Sequence, residues 1–356
     1  MNWQAVWRQR GPVAWALLPL SLLYGALLRL HRLLFQMGVK QPKSLPVPVL
    51  VVGNVVVGGA GKTPTTIALV QHLQSRGLKP GVVSRGYGRK TADCTEVAPT
   101  SLPNEVGDEP LLIQRATGAP VVVCANRHWA GKILLERHPH TDVVVCDDGM
   151  QHLALARDVT VVVFDERGCG NGWLLPAGLL REPWPAPNHT HSQMLVLQHG
   201  NQRPGMPAAK WPSYSATRRL NTTAVNALGQ SQDLGNLGQT ATHGLLAVAG
   251  IAQPNAFFDM LEAQGLALEH RQELPDHASA QALLQTIKMR PGTWLCTEKD
   301  AVKLFPLLLE QHPSECKRVW SVALVQTPEA SFFDAVDRAL EAARQRLSSP
   351  HGPQTS

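Results

Sequence analysis

Acidic residues are missing from the N-terminal part of this chain. All 27 Asp and Glu residues of the 356-residue sequence lie at or after Asp93, whereas twelve of its 33 Lys and Arg residues come before it. The net charge of +6 is therefore concentrated at the N-terminal end. This asymmetry predicts an anionic partner, which could be phosphate groups, nucleic acid or an anionic membrane surface. A basic face that is merely solvated is the alternative.

Closely spaced cysteine pairs are also missing. The six cysteines stand at 94, 124, 146, 169, 296 and 316, and none forms a CxxC pair. Several of them end apolar, strand-like runs, such as VVVC at 121–124 and 143–146. This pattern predicts buried free thiols in a reducing compartment, and it does not favour a zinc site.

Aromatic residues are few, at 5% of the chain, with only three tyrosines and seven phenylalanines, none of them in an RNA-binding motif. A nucleic-acid partner is therefore not expected. The content of 44% hydrophobic and 17% charged residues is typical of a globular protein, and the length of 356 residues predicts two domains.

The longest uncharged run lies near the N-terminus. Arg10 and Arg29 bracket eighteen uncharged residues, which Pro12 and Pro19 interrupt. This length is at the lower limit for a bilayer span, and no small-residue cleavage site follows it. Three interpretations remain open: a helix lying in the membrane interface, which the flanking arginines favour, a transmembrane span, or a buried core helix. Either membrane interpretation leaves the rest of the chain in the cytoplasm.

Strand-like and helix-like segments alternate along the rest of the chain. This alternation predicts an α/β fold, with a P-loop NTPase-like parallel sheet, flanking helices and a second, smaller α/β unit. The predicted strands are Val49–Val52, Gly81–Ser84, Pro120–Cys124, Asp142–Cys146, Val159–Phe164, Leu245–Val248, Thr293–Cys296 and Val319–Leu324. The predicted divisions are an N-terminal membrane-associated helix (1–40), a core domain (41–200), an irregular junction (201–242), a smaller domain (243–347) and a disordered tail (348–356).

A glycine-rich stretch follows the first predicted strand and opens a helix. Its sequence GGAGKT, Gly58–Thr63, fits a phosphate-binding loop, although Val56 stands where the pattern G-x-x-x-x-G-K-[ST] has its first glycine. Backbone N–H groups of such a loop point at phosphate oxygens, Lys62 adds a positive charge, and the Thr63 hydroxyl can bind Mg²⁺. The candidate nucleotide-binding residues are Val56, Val57, Gly58, Gly59, Ala60, Gly61, Lys62 and Thr63.

Two carboxylates follow another buried strand. Asp147 and Asp148 end the run VVVC, and the carboxyl ends of parallel strands line the ligand crevice. One of them is therefore expected to hold Mg²⁺ or its waters, although a turn-capping role is the alternative. Four other polar clusters could complete a site, but each alone could equally be a cap or a turn. They are SRGYG (84–88), GDEP (107–110), NGWLLPAGLLREP (171–183) and LPDH (274–277).

The order of these motifs resembles the tetraacyldisaccharide 4′-kinase family of lipid A synthesis. The resemblance rests on GNVVVGGAGKTP, SRGYG, GDEP, DDGMQH, GNGWLLPAGLLREP, LPDH and TEKDAVK, and it extends from about Trp15 to Leu324. That family's loop also lacks the first glycine. The resemblance implies that ATP phosphorylates the 4′-hydroxyl of a tetraacyldisaccharide 1-phosphate, forming lipid IVA at the cytoplasmic face of a bacterial inner membrane. It also implies two kinase-like α/β domains joined by a hinge; in addition, we expect a monomer.

The resemblance also implies roles for individual residues. Asp108 would take the proton of the 4′-hydroxyl, with His277 as its partner, and Lys62 and Arg181 would stabilise the transferring phosphoryl group. Candidates for the metal and its water shell are Thr63, Asp147, Asp148, Glu109 and Glu182. Arg85 and Tyr87 are candidates for contacts with the disaccharide. Ala278 and Ser279 depart from the histidine and aromatic residue that commonly follow this histidine in the family.

Two other functions use the same phosphate loop. A regulatory GTPase would need N/T-K-x-D for guanine, but TEKD at 297–300 has its lysine one place late, and a metallochaperone would need clustered Cys and His residues. A nucleic-acid-dependent ATPase would fit the basic N-terminal part, but there the basic residues flank an apolar helix.

Overall fold

The fold is built on one large mixed sheet. The computed structural model describes residues 3–185, 192–200, 211–241 and 244–349, and in these residues 13 strands form a single sheet. The strands are β1 Val49–Gly53, β2 Pro80–Ser84, β3 Thr95–Glu96, β4 Val121–Val123, β5 Val143–Asp147, β6 Val159–Phe164, β7 Gln193–His199, β8 Ser213–Asn226, β9 Ser231–Asp233, β10 Leu245–Ala249, β11 Leu268–Glu273, β12 Thr293–Thr297 and β13 Val319–Pro328.

Helices cover both faces of this sheet. The helices are α1 Trp3–Arg8, α2 Pro12–Gln36, α3 Lys62–Ser75, α4 Pro103–Val106, α5 Asp108–Thr117, α6 Arg127–Arg137, α7 Leu234–Thr240, α8 Pro254–Ala263, α9 Ala280–Lys288, α10 Glu298–Gln311 and α11 Ala330–Ser348, with a 3₁₀ turn at Pro313–Glu315.

The strand order is β11-β10-β12-β13-β8-β7-β6-β1-β5-β2-β4-β3, and β9 pairs with β8. Most neighbours are parallel, whereas β8 runs antiparallel to β13 and β9, and β3 runs antiparallel to β4. Strands such as VLVVG and VTVVVF are apolar on both faces because helices cover both sides of a parallel sheet. The predicted α/β class is confirmed. Its division into domains stays a prediction, since the one sheet runs through both halves.

The prediction of an irregular junction at 201–242 was wrong for the described part of it. This segment contributes β8, which is 14 residues long, together with β9 and α7. Strand β8 buries Ala216, Leu220 and Ala224, while Arg218 and Thr222 interrupt the apolar alternation between them. The strand period is therefore hidden in the sequence. Residues 201–210, 242 and 243 lie outside the described part of the chain.

The prediction of free cysteines was also wrong for one pair. Cys94 and Cys124 form a disulfide, whereas Cys146, Cys169, Cys296 and Cys316 are free and buried. The reason is strand register: Thr95 pairs with Val123 in the antiparallel β3–β4 ladder, so Cys94, just before Thr95, lies opposite Cys124, just after Val123. Their Cα atoms are 4.5 Å apart, within the range that a disulfide needs.

The long N-terminal helix α2 lies on the protein along a stripe of small residues. Ala14, Ser21 and Gly25 are buried, and the Ser21 hydroxyl donates to the Leu174 carbonyl oxygen at 2.9 Å. The helix is long and apolar enough to cross a membrane, yet only 17% of its most apolar window is buried in the protein. The interpretation as a buried core helix was therefore wrong.

Most of the predicted polar clusters lie at the carboxyl ends of strands. The phosphate loop follows β1, SRGYG follows β2, and Asp148 follows β5. From the other half, LPDH follows β11, and TEKDAVK begins at the last residue of β12. The strands are parallel within each half, so the carboxyl ends of β1, β2 and β5 share one edge and those of β11 and β12 share another. Because β8 and β13 are antiparallel, the two groups of strands run in opposite directions, and their carboxyl ends border the same cleft. Most of the last helix, α11, returns to the first half, where Phe332, Val336 and Leu340 join the core formed around β1 and β6.

Candidate active site

A cleft of about 1250 Å³ lies between the carboxyl ends of these two groups of strands and is lined by both halves of the chain. Most of the predicted site residues line it, but Val56, Asp108 and Glu182 do not. The residues that do are Val57, Gly58, Gly59, Ala60, Gly61, Lys62, Thr63, Arg85, Tyr87, Glu109, Asp147, Asp148, Arg181 and His277.

The phosphate loop has the backbone that its glycines predict. Gly58 and Gly61 both have φ of +88°, a conformation that side chains disfavour, and Gly61 is the N-cap of α3. Val56 needs no such conformation, because it is fully buried and forms an antiparallel bridge with Leu180. Where the usual pattern has its first glycine, this chain has an extended valine that pairs with Leu180.

Lys62 lies between the loop and the acidic end of β5. Its Nζ is 3.4 Å from Asn54 Oδ1 and 3.7 Å from Asp148 Oδ1. Arg181 approaches the same two side chains, since its Nη1 is 3.2 Å from both Asn54 Oδ1 and Asp148 Oδ1. Two cations therefore converge at the start of α3, where transferring phosphates would need neutralisation.

Asp147 and Asp148 have different environments. Asp147 is buried and accepts hydrogen bonds from Thr66 Oγ1 at 3.0 Å and Ser84 Oγ at 3.4 Å. Burial, together with the nearby charges of Glu109 and Asp148, raises the pKa of Asp147 to about 7. A cation beside it would favour its ionised form.

Asp148 is the more accessible of the two, with 31% of its side chain exposed. Burial raises its pKa, but the charges of Lys62 and Arg181 outweigh burial, so the pKa of Asp148 is lowered below its ordinary value. Its backbone has φ of +45°, one of two positive values among the described residues other than glycine.

A cluster of charged groups joins the two halves beside the cleft. His277 Nδ1 lies 3.5 Å from Asp108 Oδ2, and Lys303 Nζ lies 3.4 Å from the same oxygen. Lys299 Nζ lies 3.1 Å from Glu109 Oε1 and 3.4 Å from His277 Nε2. Burial raises the pKa of Asp108, but the hydrogen bond with His277 and the charges of both lysines outweigh it and lower that pKa. Asp108 is therefore ionised at neutral pH and can accept a proton.

His277 itself lines the cleft and has the second positive φ, +61°. Its ring centroid is 5.3 Å from that of Tyr87, which is 68% exposed. A strained backbone of this kind persists only where surrounding contacts hold the residue in place, and it is often found at functional sites.

Glu182 does not line the cleft, and other side chains of the protein bind its carboxylate. It is buried, it forms an ion pair with Arg32 of α2, and its Oε1 accepts a hydrogen bond from Gln151 Nε2 at 2.7 Å. The adjacent residue extends this link, because the Tyr24 hydroxyl donates to the Arg181 carbonyl oxygen at 2.8 Å. The motif containing Arg181 and Glu182 therefore connects the N-terminal helix to the cleft.

Several cations at the site were not assigned from the sequence. Lys299 and Lys303 lie in TEKDAVK, which was noted as a motif without a role, and their spacing of four along α10 would have placed them on one helix face. Arg167 and Arg218 contact the phosphate loop, but no local motif marks them.

The carboxylates at the end of β5 suit a divalent cation that takes its other ligands from phosphate oxygens and water. In the described ranges, no three His, Cys, Asp or Glu side chains converge into a preformed metal site. Mg²⁺ usually takes only one or two carboxylates and completes its shell with phosphate oxygens and water. The accessible, ionised Asp148 beside Lys62, with buried Asp147 behind it, fits that mode.

A phosphate loop and an ionised carboxylate–histidine pair beside one cleft characterise phosphotransferases of the P-loop class. Sequence comparison narrows this class. The model of the tetraacyldisaccharide-1-P 4′-kinase family matches residues 13–341. The chain therefore belongs to that family, which confirms the resemblance seen in its motifs.

Individual relatives agree with this assignment. A tetraacyldisaccharide 4′-kinase of Acidovorax sp. (strain JS42) is 51% identical over 95% of this chain and 94% of its own length. One of Delftia acidovorans is 48% identical over 96% and 95%, respectively. A crystal structure of "apo" form LpxK from Aquifex aeolicus in complex with ATP has a TM-score of 0.74 and 25% identity, over 92% of this chain and 99% of that one.

Proposed function

We propose that this protein transfers the γ-phosphate of ATP to the 4′-hydroxyl of a tetraacyldisaccharide 1-phosphate, forming lipid IVA in lipid A synthesis. The observation that carries the proposal is the meeting of Asp108 with His277 next to a cleft that also contains the phosphate loop. A hydrolase or a switch protein would not need this carboxylate–histidine pair, because it has no alcohol acceptor whose proton must be removed. Family membership supplies the identity of that acceptor.

The dyad is proposed to accept the proton of the 4′-hydroxyl. Lys303 and Lys299 keep the Asp108 carboxylate ionised, and His277, which lines the cleft, is proposed to orient that carboxylate for the acceptor. Such general-base assistance contributes about 10²–10⁴ in rate. Arg85 and Tyr87 line the same cleft and are proposed to contact the disaccharide.

The phosphate end is proposed to be held by the loop amides of 57–63, Lys62 and Arg181. Mg²⁺ would be held by Thr63 and Asp148, with Asp147 and Glu109 next to its water shell. When bound, the ion neutralises charge on the β- and γ-phosphates. Glu182 is not among the proposed ligands, because Arg32 and Gln151 already engage its carboxylate.

Helix α2 is proposed to lie on the anionic cytoplasmic face of the inner membrane. Its outer face exposes Leu20, Leu22, Leu23, Leu27 and Leu30, each more than 50% accessible. Each such leucine gains about 1.5–3 kcal/mol when it enters an apolar phase, so five of them suffice for stable attachment. The small-residue face stays on the protein and keeps the cleft close to a lipid acceptor.

Transfer of label from γ-labelled ATP to the detergent-solubilised lipid tests this proposal directly. We expect labelled lipid with the unchanged protein and a rate at least about 100-fold lower with Lys62→Ala or Asp108→Ala. Lys132→Ala and Asp334→Ala, at exposed positions away from the cleft, are the matched controls and should keep full rate. ATP hydrolysis without labelled lipid would instead indicate a regulatory NTPase.

A further inference from the structure

Two arginines hold the phosphate loop by its carbonyl oxygens. Arg218 of β8 donates from Nη2 to the Ala60 carbonyl oxygen at 2.7 Å. Arg167, just after β6, donates from Nη1 to the Val57 carbonyl oxygen at 3.1 Å. These are charge-assisted hydrogen bonds, which are stronger than neutral ones.

The two contacts fix the direction of two N–H groups. The peptide bonds after Val57 and Ala60 are trans, so each carbonyl points opposite to the N–H of the following residue. An arginine that holds the Val57 or Ala60 oxygen therefore turns the N–H of Gly58 or Gly61 away from itself. Those are the amides that a phosphate loop directs at its ligand.

The two glycines fit closely against the same guanidinium groups. A Cβ at Gly61 would lie 1.7 Å from Arg218 Nη2, and a Cβ at Gly58 would lie 3.2 Å from Arg167 Nη1. Each glycine of positive φ thus lies against one arginine, and the absence of a side chain allows this approach.

Asp165 anchors the Arg167 side chain, strand pairing fixes the Arg218 backbone, and the second half of the chain contributes to both. Asp165, which is buried, accepts hydrogen bonds from Arg167 Nε at 2.9 and 3.1 Å. Gln253, the N-cap of α8, donates to Asp165 Oδ2 at 3.0 Å. Arg218 lies in the strand that pairs with β13, where Gln326 is its register partner.

We propose that Arg167 and Arg218 are positioning residues that orient the loop amides for the nucleotide's phosphates. They act through the loop backbone rather than on the reacting atoms, and they link the loop to the second half of the chain. The inference rests on the proposed function only for the choice of nucleotide. Its test measures binding alone, so it can fail or succeed independently of lipid phosphorylation.

Calorimetric titration of the full-length protein with MgATP and MgADP provides that test. Arg218→Met removes the donor, and we expect the dissociation constants of both nucleotides to rise at least tenfold and by similar factors. Arg218→Lys, which keeps one charged donor, should recover part of the affinity. Arg219→Met, at the exposed neighbouring position of β8, should bind like the unchanged protein.

Two results would overturn the inference. One is unchanged affinity in a folded Arg218→Met variant. The other is a loss confined to MgATP, which would indicate a direct contact with the γ-phosphate. If Arg218→Met does not fold, Arg167→Met combined with Asp165→Asn removes the other donor without leaving a buried carboxylate unpaired. An equal loss for both nucleotides would then support the inference, and unchanged affinity would overturn it.

Discussion

Asp108 shows how neighbouring charges prepare a single residue for its role. It lies largely buried, where a carboxyl group alone would favour its protonated form. His277, Lys303 and Lys299 reverse this preference and keep the carboxylate ionised. These cations extend to lower pH the range in which the carboxylate is ionised and therefore free to accept a proton.

Removing one of the cations should therefore change the pH dependence. In Lys303→Met the pKa of Asp108 rises, because the charge 3.4 Å from its Oδ2 is lost. Protonation of the base then begins at higher pH, so the acid limb of the kcat/KM profile should move to higher pH. The rate should fall more at pH 6 than at pH 8, where the carboxylate is again ionised.

The control for this prediction is Lys288→Met, an exposed lysine of α9 outside the cleft. Its profile should match that of the unchanged protein. An unshifted acid limb in Lys303→Met would show that Lys303 does not set the ionisation of Asp108.

Helix α2 illustrates how one element serves two surfaces. Its buried stripe of Ala14, Ser21 and Gly25 packs on the protein, while its leucines face outward. Replacing both Leu23 and Leu27 by Glu removes about 3 kcal/mol of apolar transfer energy, so binding to vesicles containing anionic lipid should weaken at least about 100-fold. Flotation of the protein with such vesicles measures this.

The rate on detergent-solubilised acceptor should stay close to normal in that variant, since neither leucine lines the cleft. Leu309→Glu, at another exposed leucine, is the matched control and should bind vesicles normally. Equal flotation of all three proteins would rule out α2 as the membrane contact.

The short strands β3 and β4 make a separate prediction about thiols. Their register brings Cys94 and Cys124 together, so four cysteines should react in protein denatured without reductant. After reduction all six should react. A thiol-reactive chromophore counts them, and six reactive thiols in the unreduced, denatured protein would mean that the pair is not joined in the isolated protein.

The whole molecule is more unified than its predicted two domains suggest. Strand β8 pairs with β13 across eight register positions, which makes the sheet continuous between the halves. Helix α11 then returns to the first half, where Phe332 is fully buried in the core around β1 and β6. The stability of each half therefore depends on the other.

We accordingly expect one thermal unfolding transition by calorimetry. Phe332→Ala should destabilise the entire protein by about 3–5 kcal/mol and shift that single transition to lower temperature. Phe333→Ala, at the adjacent and less buried position, should have a smaller effect. Two separate transitions, only one of which responds to Phe332→Ala, would show that the halves unfold independently. The expected monomer stays a prediction.

The sequence by itself determined the features that depend on neighbouring residues. Continuous apolar runs such as VVVC specify buried parallel strands, and the glycines of GGAGKT specify a loop with positive φ between β1 and α3. Since parallel strands end at one edge, the sequence also predicted that Asp147, Asp148 and Arg85 lie at the same edge as the phosphate loop. The order of motifs was enough for the family.

Only the tertiary structure decided which distant residues meet. The disulfide, the contacts of Lys299 and Lys303 with the α5 carboxylates and the hold of Arg218 on the loop join residues far apart in the chain. Glu182 shows the reverse case, since its motif suggested a metal ligand but its contacts are Arg32 and Gln151. Such contacts depend on strand register and on which helix covers which face, and local sequence patterns do not encode either.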